Sequence, residues 1–276
     1  MAEIVAETLY QSRTITVRDT QCRGTCTHEG PEEWTTSTQL VFPYRGVYIK
    51  HIGHDQAVAE ANQVLFFNAY HGYRVSHPVA GGDASLSLVI GEPLLYELAA
   101  REWLRDDPGL MFRPLRLRID ARTQGLMTLL LYRLRRRIAE PLEVEGLALG
   151  LARRAVGRRT AHPPGASAGR QRLVDRAKLA LSSDLARRWS LADIAAEVRV
   201  SPVYLTQLFQ QVEGVPLYRY QLRLRLARAL DLLAECDDLT ALGLELGFSS
   251  HSHFSAAFRQ MYGQSPSSFR QSTLRR

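Results

Sequence analysis

Cysteine is scarce here: three residues in a chain of 276. Three thiols cannot build the disulfide framework of a small secreted scaffold. Cys22, Cys26 and the nearby His28 form a short run of metal-ligating types, but the pattern lacks a fourth ligand. The run reads as free thiols in a strand or loop. No metal or other cofactor is counted, and whether these three residues bind a metal stays open. Long apolar runs are missing too. The longest, such as Leu126 to Tyr132, fall well short of the roughly 20 residues that a membrane span needs. The opening Met1-Ala2-Glu3-Ile4-Val5-Ala6-Glu7 is acidic and has no apolar signal core. No membrane partner is expected, and the cytoplasm is the expected location. No nucleophile elbow and no Gly-rich phosphate loop occurs either, so no catalytic residue is assigned.

What the chain does have is an uneven charge. The net charge is +7, yet residues 1–111 carry −6, residues 112–169 carry +8 and residues 170–276 carry +5. An acidic front and a basic rear point to a polyanionic partner for the rear half. Charge alone does not separate that from a solvated basic surface.

The front reads as strands and turns. The segments Thr14–Arg18, Gln39–Phe42, Gly46–Lys50, Gln63–Phe67 and Ser85–Ile90 are short and rich in β-branched or aromatic residues. Gly30-Pro31, Phe42-Pro43, His77-Pro78 and Gly81-Gly82-Asp83 separate them as turn signals. This spacing favours a small antiparallel barrel or sandwich. Helical periodicity follows over Glu92 to Leu104, Arg122 to Ile138 and Glu143 to Val156. In the second of these, Leu126, Leu129, Leu130 and Leu134 share one side, as core or as a dimer seam. Arg133, Arg135, Arg136 and Arg137 crowd its end, where the helix dipole favours cations. Residues 157–170, GRRTAHPPGASAGR, have the composition of an exposed flexible linker. The expected domains are therefore 1–156, a linker at 157–170, and 171–276.

The last hundred residues contain a repeat. Ser201-Pro202-Val203-Tyr204-Leu205-Thr206-Gln207-Leu208-Phe209 ends five residues before Gly214. Forty-nine positions on, Ser250-His251-Ser252-His253-Phe254-Ser255-Ala256-Ala257-Phe258 ends five residues before Gly263. Ser201 and Ser250 suit helix N-caps, Pro202 suits the first helical turn, and the glycines suit left-handed C-caps. Leu205, Leu208, Phe209 and Val212 form one buried stripe; Phe254, Ala257, Phe258 and Met261 form the other. That leaves Val203, Thr206, Gln207 and Gln210 outward in the first copy, and His251, Ser252, Ser255, Ala256 and Arg259 in the second. Short uncharged side chains suit a helix pressed against the floor of a major groove. A shorter helix precedes each copy. Ser190 caps Leu191 to Val198, with Asp193 completing a capping box, and Asp238 or Thr240 opens Leu239 to Leu246. Arg199-Val200 and Gly247-Phe248-Ser249 form the turns, and Ala195 and Gly243 allow close helix packing. Pro216 to Ala234 reads as one long helix joining the units, with Leu222, Leu226, Leu230 and Leu233 inward and Arg219, Arg223, Arg225 and Arg228 outward. Arg172 to Arg188 forms a helix in front, and Ser267 to Arg270 begins one at the end.

Ile194-Ala195, Ser201-x-x-Tyr204-Leu205-x-x-x-Phe209, Gly214-x-Pro216, Gly247-Phe248-Ser249, Phe254-x-x-x-Phe258, Gly263-x-x-Pro266 and Phe269-Arg270 together resemble the DNA-binding domain of the AraC/XylS family over residues 171–272. FPYRGVYIKHIG and NQVLFFNAYHGYRVSHP resemble, more loosely, the cupin-like N-terminal domains of some members. The implied fold class is α+β: an N-terminal cupin-like β-barrel plus helices, then an all-α domain with two helix-turn-helix units. The resemblance implies a sequence-specific transcription regulator, with activation the expected mode. Promoter DNA, RNA polymerase, a small-molecule effector in the barrel and a second copy of the chain are its expected partners. It assigns base-edge contacts to Val203, Thr206 and Gln207, and to His251, Ser252, Ser255 and Ala256. Gln207 suits adenine and Val203 a thymine methyl, while His251 and Arg259 suit phosphates. The family often has Arg where this chain has Ala256, and a smaller residue where it has Arg199.

The front histidines allow a rival. His51, His54, His71 and His77 lie in the strand region, but no His-x-His pair with a following glutamate appears. His51-x-x-His54 beside Asp55 reads as a loop. A metal-dependent cupin enzyme binding through His71 and His77 is the alternative from another class. An architectural DNA binder without an effector is the third reading. The regulator is preferred, and no enzyme activity is assigned.

Overall fold

A computed structural model of the chain describes residues 4–24, 26–106, 109–157 and 167–274. They fall into two compact units: the first takes the described residues up to 157 together with 273–274 at the end of the last helix, and the second takes residues 167–272.

The first unit is antiparallel β-sheet with helices on one side. Its strands are β1 (Ile4–Gln11), β2 (Ile15–Cys22), β3 (Gln39–Arg45), β4 (Tyr48–Ile52), β5 (Asp55–Ala59), β6 (Gln63–Phe67), β7 (Arg74–Ser76), β8 (Asp83–Ile90), β9 (Leu104–Asp106), β10 (Leu110–Phe112) and β11 (Arg116–Arg118). Six of them form one sheet in the order β1-β2-β8-β3-β6-β11, three form a second in the order β5-β4-β7, and β9 pairs with β10. One face of the large sheet presents Val17, Leu40, Phe42, Val64, Phe66, Leu86 and Leu88 to the helices. Those helices are α1 (Glu92–Leu98), α2 (Ala121–Arg135) and α3 (Pro141–Val156). The other face packs Val41, Leu65 and Phe67 against Tyr48, Ala57 and Ala59 of the small sheet. Burial on both faces explains why β6 is a continuous apolar run after Gln63 rather than an alternating one.

Several sequence expectations are corrected here. Phe42-Pro43 is not a turn: Pro43 lies inside β3, where the ladder to β8 shifts register between Pro43 and Arg45. A bulge is where a residue without an N–H fits. His51-x-x-His54 is not a free loop, because His51 belongs to β4 and Gly53-His54 turns into β5. The helix expected to Leu104 stops at Leu98, and a single 3-10 turn, Arg101–Trp103, follows. The inner face of α2 is Met127, Leu130, Leu131 and Leu134, while Leu126 is partly buried and Leu129 only half-buried. Two arginines at its end do more than answer the dipole. Arg133 pairs with Glu143 of α3 at 2.7 Å, and Arg135 grips buried Asp19 at 2.7 Å, which also accepts from Tyr44 at 2.6 Å. In the expected linker, residues 158–166 lie outside the described residues, and residues 168–170 already belong to the next helix.

Among its described residues, the second unit contains only helices as regular elements: α4 (Ala168–Ser183), α5 (Leu191–Val198), α6 (Pro202–Glu213), α7 (Leu217–Leu232), α8 (Leu239–Glu245), α9 (His251–Tyr262) and α10 (Pro266–Leu274). It holds two cores. The first joins Val174, Leu181, Ile194, Leu205, Phe209 and Tyr220; the second joins Leu226, Leu230, Leu242, Phe248, Phe254 and Phe258. Helix α7 serves both, giving Tyr220 and Leu224 to the first and Leu226, Ala229, Leu230 and Leu233 to the second. The α+β class expected from sequence is the class observed.

Candidate nucleic-acid interface

Each half of the second unit is a short helix, a turn and a longer helix. Ser190 caps α5 by accepting the Asp193 N–H at 3.1 Å, and Asp193 returns a bond to the Ser190 N–H at 2.9 Å. That N–H is also the main reason the exposed Asp193 carboxyl is held below its ordinary range. Asp238, not Thr240, caps α8, accepting from Thr240 and Ala241. The turns are made with left-handed residues, Arg199 at φ 57° and Gly247 at φ 82°. Ser201 accepts the Tyr204 N–H to open α6, and Ser250 accepts the His253 N–H to open α9. Gly214 and Gly263 close the same two helices at φ 67° and 78°. The serine cluster before α9 is thus a helix cap. Gly243 is required by packing: a Cβ there would stand 3.0 Å from the Cβ of Phe254.

The outward faces lie where the sequence places them. Val203 is 68% exposed, and Thr206, Gln207 and Gln210 are exposed beside it on α6. On α9, Ser252, Ala256 and Arg259 are exposed, while His251 and Ser255 are half-buried and bonded to each other at 3.1 Å. The Thr206 hydroxyl donates to the Pro202 carbonyl at 3.0 Å. Its acceptor lone pairs remain for a partner. Each face contains no acidic residue among these nine, so nothing on it repels a phosphate backbone.

Sequence reasoning missed the groups that set the faces. Arg225 is not an outward cation. Its guanidinium donates to the carbonyls of Leu185 at 2.6 Å and Arg187 at 2.9 Å, ahead of the first half, and of Gly247 at 3.0 Å, in the turn of the second. Arg228 pairs with Asp231 on its own helix. Lys178 of α4 and Glu213 of α6 form an ion pair at 2.6 Å, with side chains 0% and 4% exposed. The ring of Tyr220 lies 5.2 Å from the ammonium. Helix periodicity marks Lys178 as inward, which was the available signal; Arg225 shows none, because its partners are backbone carbonyls remote in sequence.

In the first unit, His71 is exposed and His77 is buried, with Nδ1 2.5 Å from Asp83 and Nε2 3.7 Å from the Cys22 sulfur. Among the described residues, the cluster of ligand atoms that contains His77 does not include His71, the other histidine of the enzyme reading. His51 contacts Ser76 at 2.8 Å, and His54 is exposed. Cys26 and His28 lie 3.4 Å apart, sulfur to Nε2.

Two capped, separately cored helix-turn-helix units on one connecting helix define a tandem DNA-binding module. Residues 194–272 match the family described as Helix-turn-helix domain. The chain is 36% identical to the regulatory protein PocR of Salmonella typhimurium, over 33% of this chain and 29% of that protein. It is also 36% identical to the transcriptional activator RhaS of Escherichia fergusonii, over 33% of each. The chain thus spans about a third of the length of these relatives. Among solved structures, it is similar to a transcriptional regulator with an AraC-type DNA-binding domain from Chromobacterium violaceum, at 34% identity over 40% of this chain and 98% of that one, with a TM-score of 0.37. Residues 194–272 of the second unit are a helix-turn-helix domain, shared with these transcriptional regulators. Among the described residues, no helix is long and apolar enough to cross a membrane.

Proposed function

We propose that the whole chain is a sequence-specific transcription regulator acting as an activator in the cytoplasm, with no enzymatic activity. The observation that carries this reading is the pair of capped helices α6 and α9, each seated on its own core with an exposed, non-acidic outer face. Val203, Thr206 and Gln207 read base edges from α6. His251, Ser252, Ser255 and Ala256 do so from α9, with Gln210 and Arg259 at the margins. Ala256 offers no hydrogen bond, so the second unit leans toward phosphate and shape contacts. The cupin-like first domain, residues 1–156, dimerises the protein or binds a small-molecule effector, and residues 157–170 tether it. RNA polymerase is the partner that activation requires.

A gel shift on the DNA upstream of the protein's own gene, titrated with salt, tests this. Affinity falls steeply as salt rises, because neutralised phosphates release counterions. The specific fragment still outcompetes a shuffled one. Equal affinity for both would remove the sequence-specific reading.

A further inference from the structure

The first unit brings five metal-ligating or orienting residues to one corner through backbone pairing. Cys22, at the end of β2, is the ladder partner of Asp83, the first residue of β8. Cys26 and His77 form a separate antiparallel bridge, exchanging backbone bonds at 3.2 and 2.7 Å. Directly paired residues put their side chains on the same face. The side chains of Cys22, His77 and Asp83 are all buried, and their ligand atoms lie within 4.8 Å of one another. His28 follows Cys26 by two residues and stands 3.4 Å from its sulfur through Nε2.

The chemistry of the corner is specific. Asp83 takes the Nδ1 side of His77 at 2.5 Å, which fixes the tautomer and leaves the Nε2 lone pair facing the Cys22 sulfur at 3.7 Å. A carboxylate behind a histidine is how proteins orient an imidazole that binds metal. With Zn–S near 2.3 Å and Zn–N near 2.0–2.1 Å, tetrahedral geometry places a sulfur and a nitrogen ligand about 3.6 Å apart. The two sulfur–nitrogen pairs, at 3.7 and 3.4 Å, bracket that separation. The spacing Cys22-x-x-x-Cys26 lies within the range of structural zinc sites. Cys26 donates to the His28 carbonyl at 3.2 Å, and its sulfur must leave that bond to join a metal shared with its bridge partner His77.

We propose that Cys22, Cys26, His28 and His77 form a zinc site, with Asp83 orienting His77 from behind. Two thiolates and two imidazoles in tetrahedral arrangement select zinc among the common divalent cations. Four protein ligands leave no open position, so the site is structural. It pins the segment after β2 to the start of β8, and it is independent of DNA recognition by the second unit.

The test uses the full chain. Purified protein is stripped with a chelator, and zinc or cobalt(II) alone is added back. The proposal expects one zinc per chain after dialysis. It also expects the visible bands of a tetrahedral thiolate site with cobalt, and a higher unfolding temperature with either metal. Asp83→Asn lowers affinity ten- to a hundredfold without abolishing it. C22S, C26S, H28Q and H77Q each lose the cobalt bands, and Cys236→Ser leaves them unchanged. Unchanged cobalt spectra in C26S and H28Q, or a parent protein that retains no zinc and shows no cobalt bands, overturns the assignment. Should a ligand variant fail to fold, the cobalt titration of the stripped parent still decides.

Discussion

The Arg225 Nη1 atom lies 3.0 Å from the carbonyl oxygen of Gly247, and through that bond the shared helix α7 holds the turn of the second helix-turn-helix unit. The same guanidinium holds Leu185 and Arg187 at the entrance to the first. Arg225 thus sits between two cores and fixes one to the other. Removing it strips a charged donor from the carbonyls of the half-buried Leu185 and Gly247 and of the exposed Arg187, at a cost of about 1–3 kcal/mol. Arg225→Ala should lower the unfolding midpoint accordingly in denaturant titrations. Arg225→Lys should recover less than half of the loss, because an ammonium cannot reproduce the planar fork.

Gly247 and Gly263 offer a matched comparison. Both have positive φ, 82° and 78°. A Cβ on Gly263 meets nothing within 4 Å, whereas one on Gly247 would stand 2.4 Å from the Ala186 carbonyl and 2.8 Å from Arg225. Gly263→Ala should cost about 1 kcal/mol, the left-handed penalty alone. Gly247→Ala should cost about 2–4 kcal/mol, since a backbone clash is added. Equal losses in calorimetry would show that the turn does not press on the first half.

The buried pair Lys178–Glu213 couples α4 to α6. Lys178→Ala removes the cation of the 2.6 Å pair from a buried carboxylate, and should destabilise by about 3–5 kcal/mol. Replacing both residues with apolar ones of similar volume, Lys178→Met with Glu213→Leu, should restore most of that. A double-mutant cycle measures the coupling directly. Purely additive losses would mean that the pair contributes nothing as a pair.

Lys50 gives the first unit a pH dependence. Its side chain is 1% exposed, its ammonium donates to the Phe66 carbonyl, and burial pushes it down to about 7. Between that value and the ordinary lysine range the unfolded chain holds the extra proton, so this group makes stability rise with pH across that window. Below about pH 7 both states are protonated and the penalty is fully present. Lys50→Met should therefore stabilise the protein most at pH 6, by about 1–3 kcal/mol, with the gain shrinking toward pH 10. A gain that is flat across pH would contradict a neutralised buried lysine.

The legible parts of this fold are those whose causes are local. Ser190, Ser201, Ser250, Gly214 and Gly263 mark helix ends within three or four residues of the groups they satisfy, and all five act as read. The illegible parts depend on partners far along the chain. Arg225 with Leu185, Arg135 with Asp19, and His77 with Cys22 leave no periodic trace, and periodicity turns Lys178 inward without showing that Glu213 meets it. Strand β1 was missed because it is an edge strand, mostly exposed, without an alternating apolar face. Strand β5 was missed because its apolar residues follow Asp55 and Gln56 in a tight hairpin.

On DNA, Gln207 and Arg259 should behave differently. Gln207→Ala should cost about 1–3 kcal/mol at one base pair and relax specificity there. Arg259→Ala should weaken all sequences alike and reduce the salt slope by about one. Competition binding against single-base variants of a selected site separates the two. Identical profiles would undo the division between base reading and phosphate contact.

In the proposed regulator, α6 and α9 enter one duplex together. Hydroxyl-radical footprinting of the full chain on a DNA site selected from a random pool tests it most directly. Two protected windows per binding domain are expected, about one helical turn apart on the same face of the DNA, with Gln207→Ala altering one window and Ser255→Ala the other. A single window, unchanged by either substitution in α9 or α6, would contradict it.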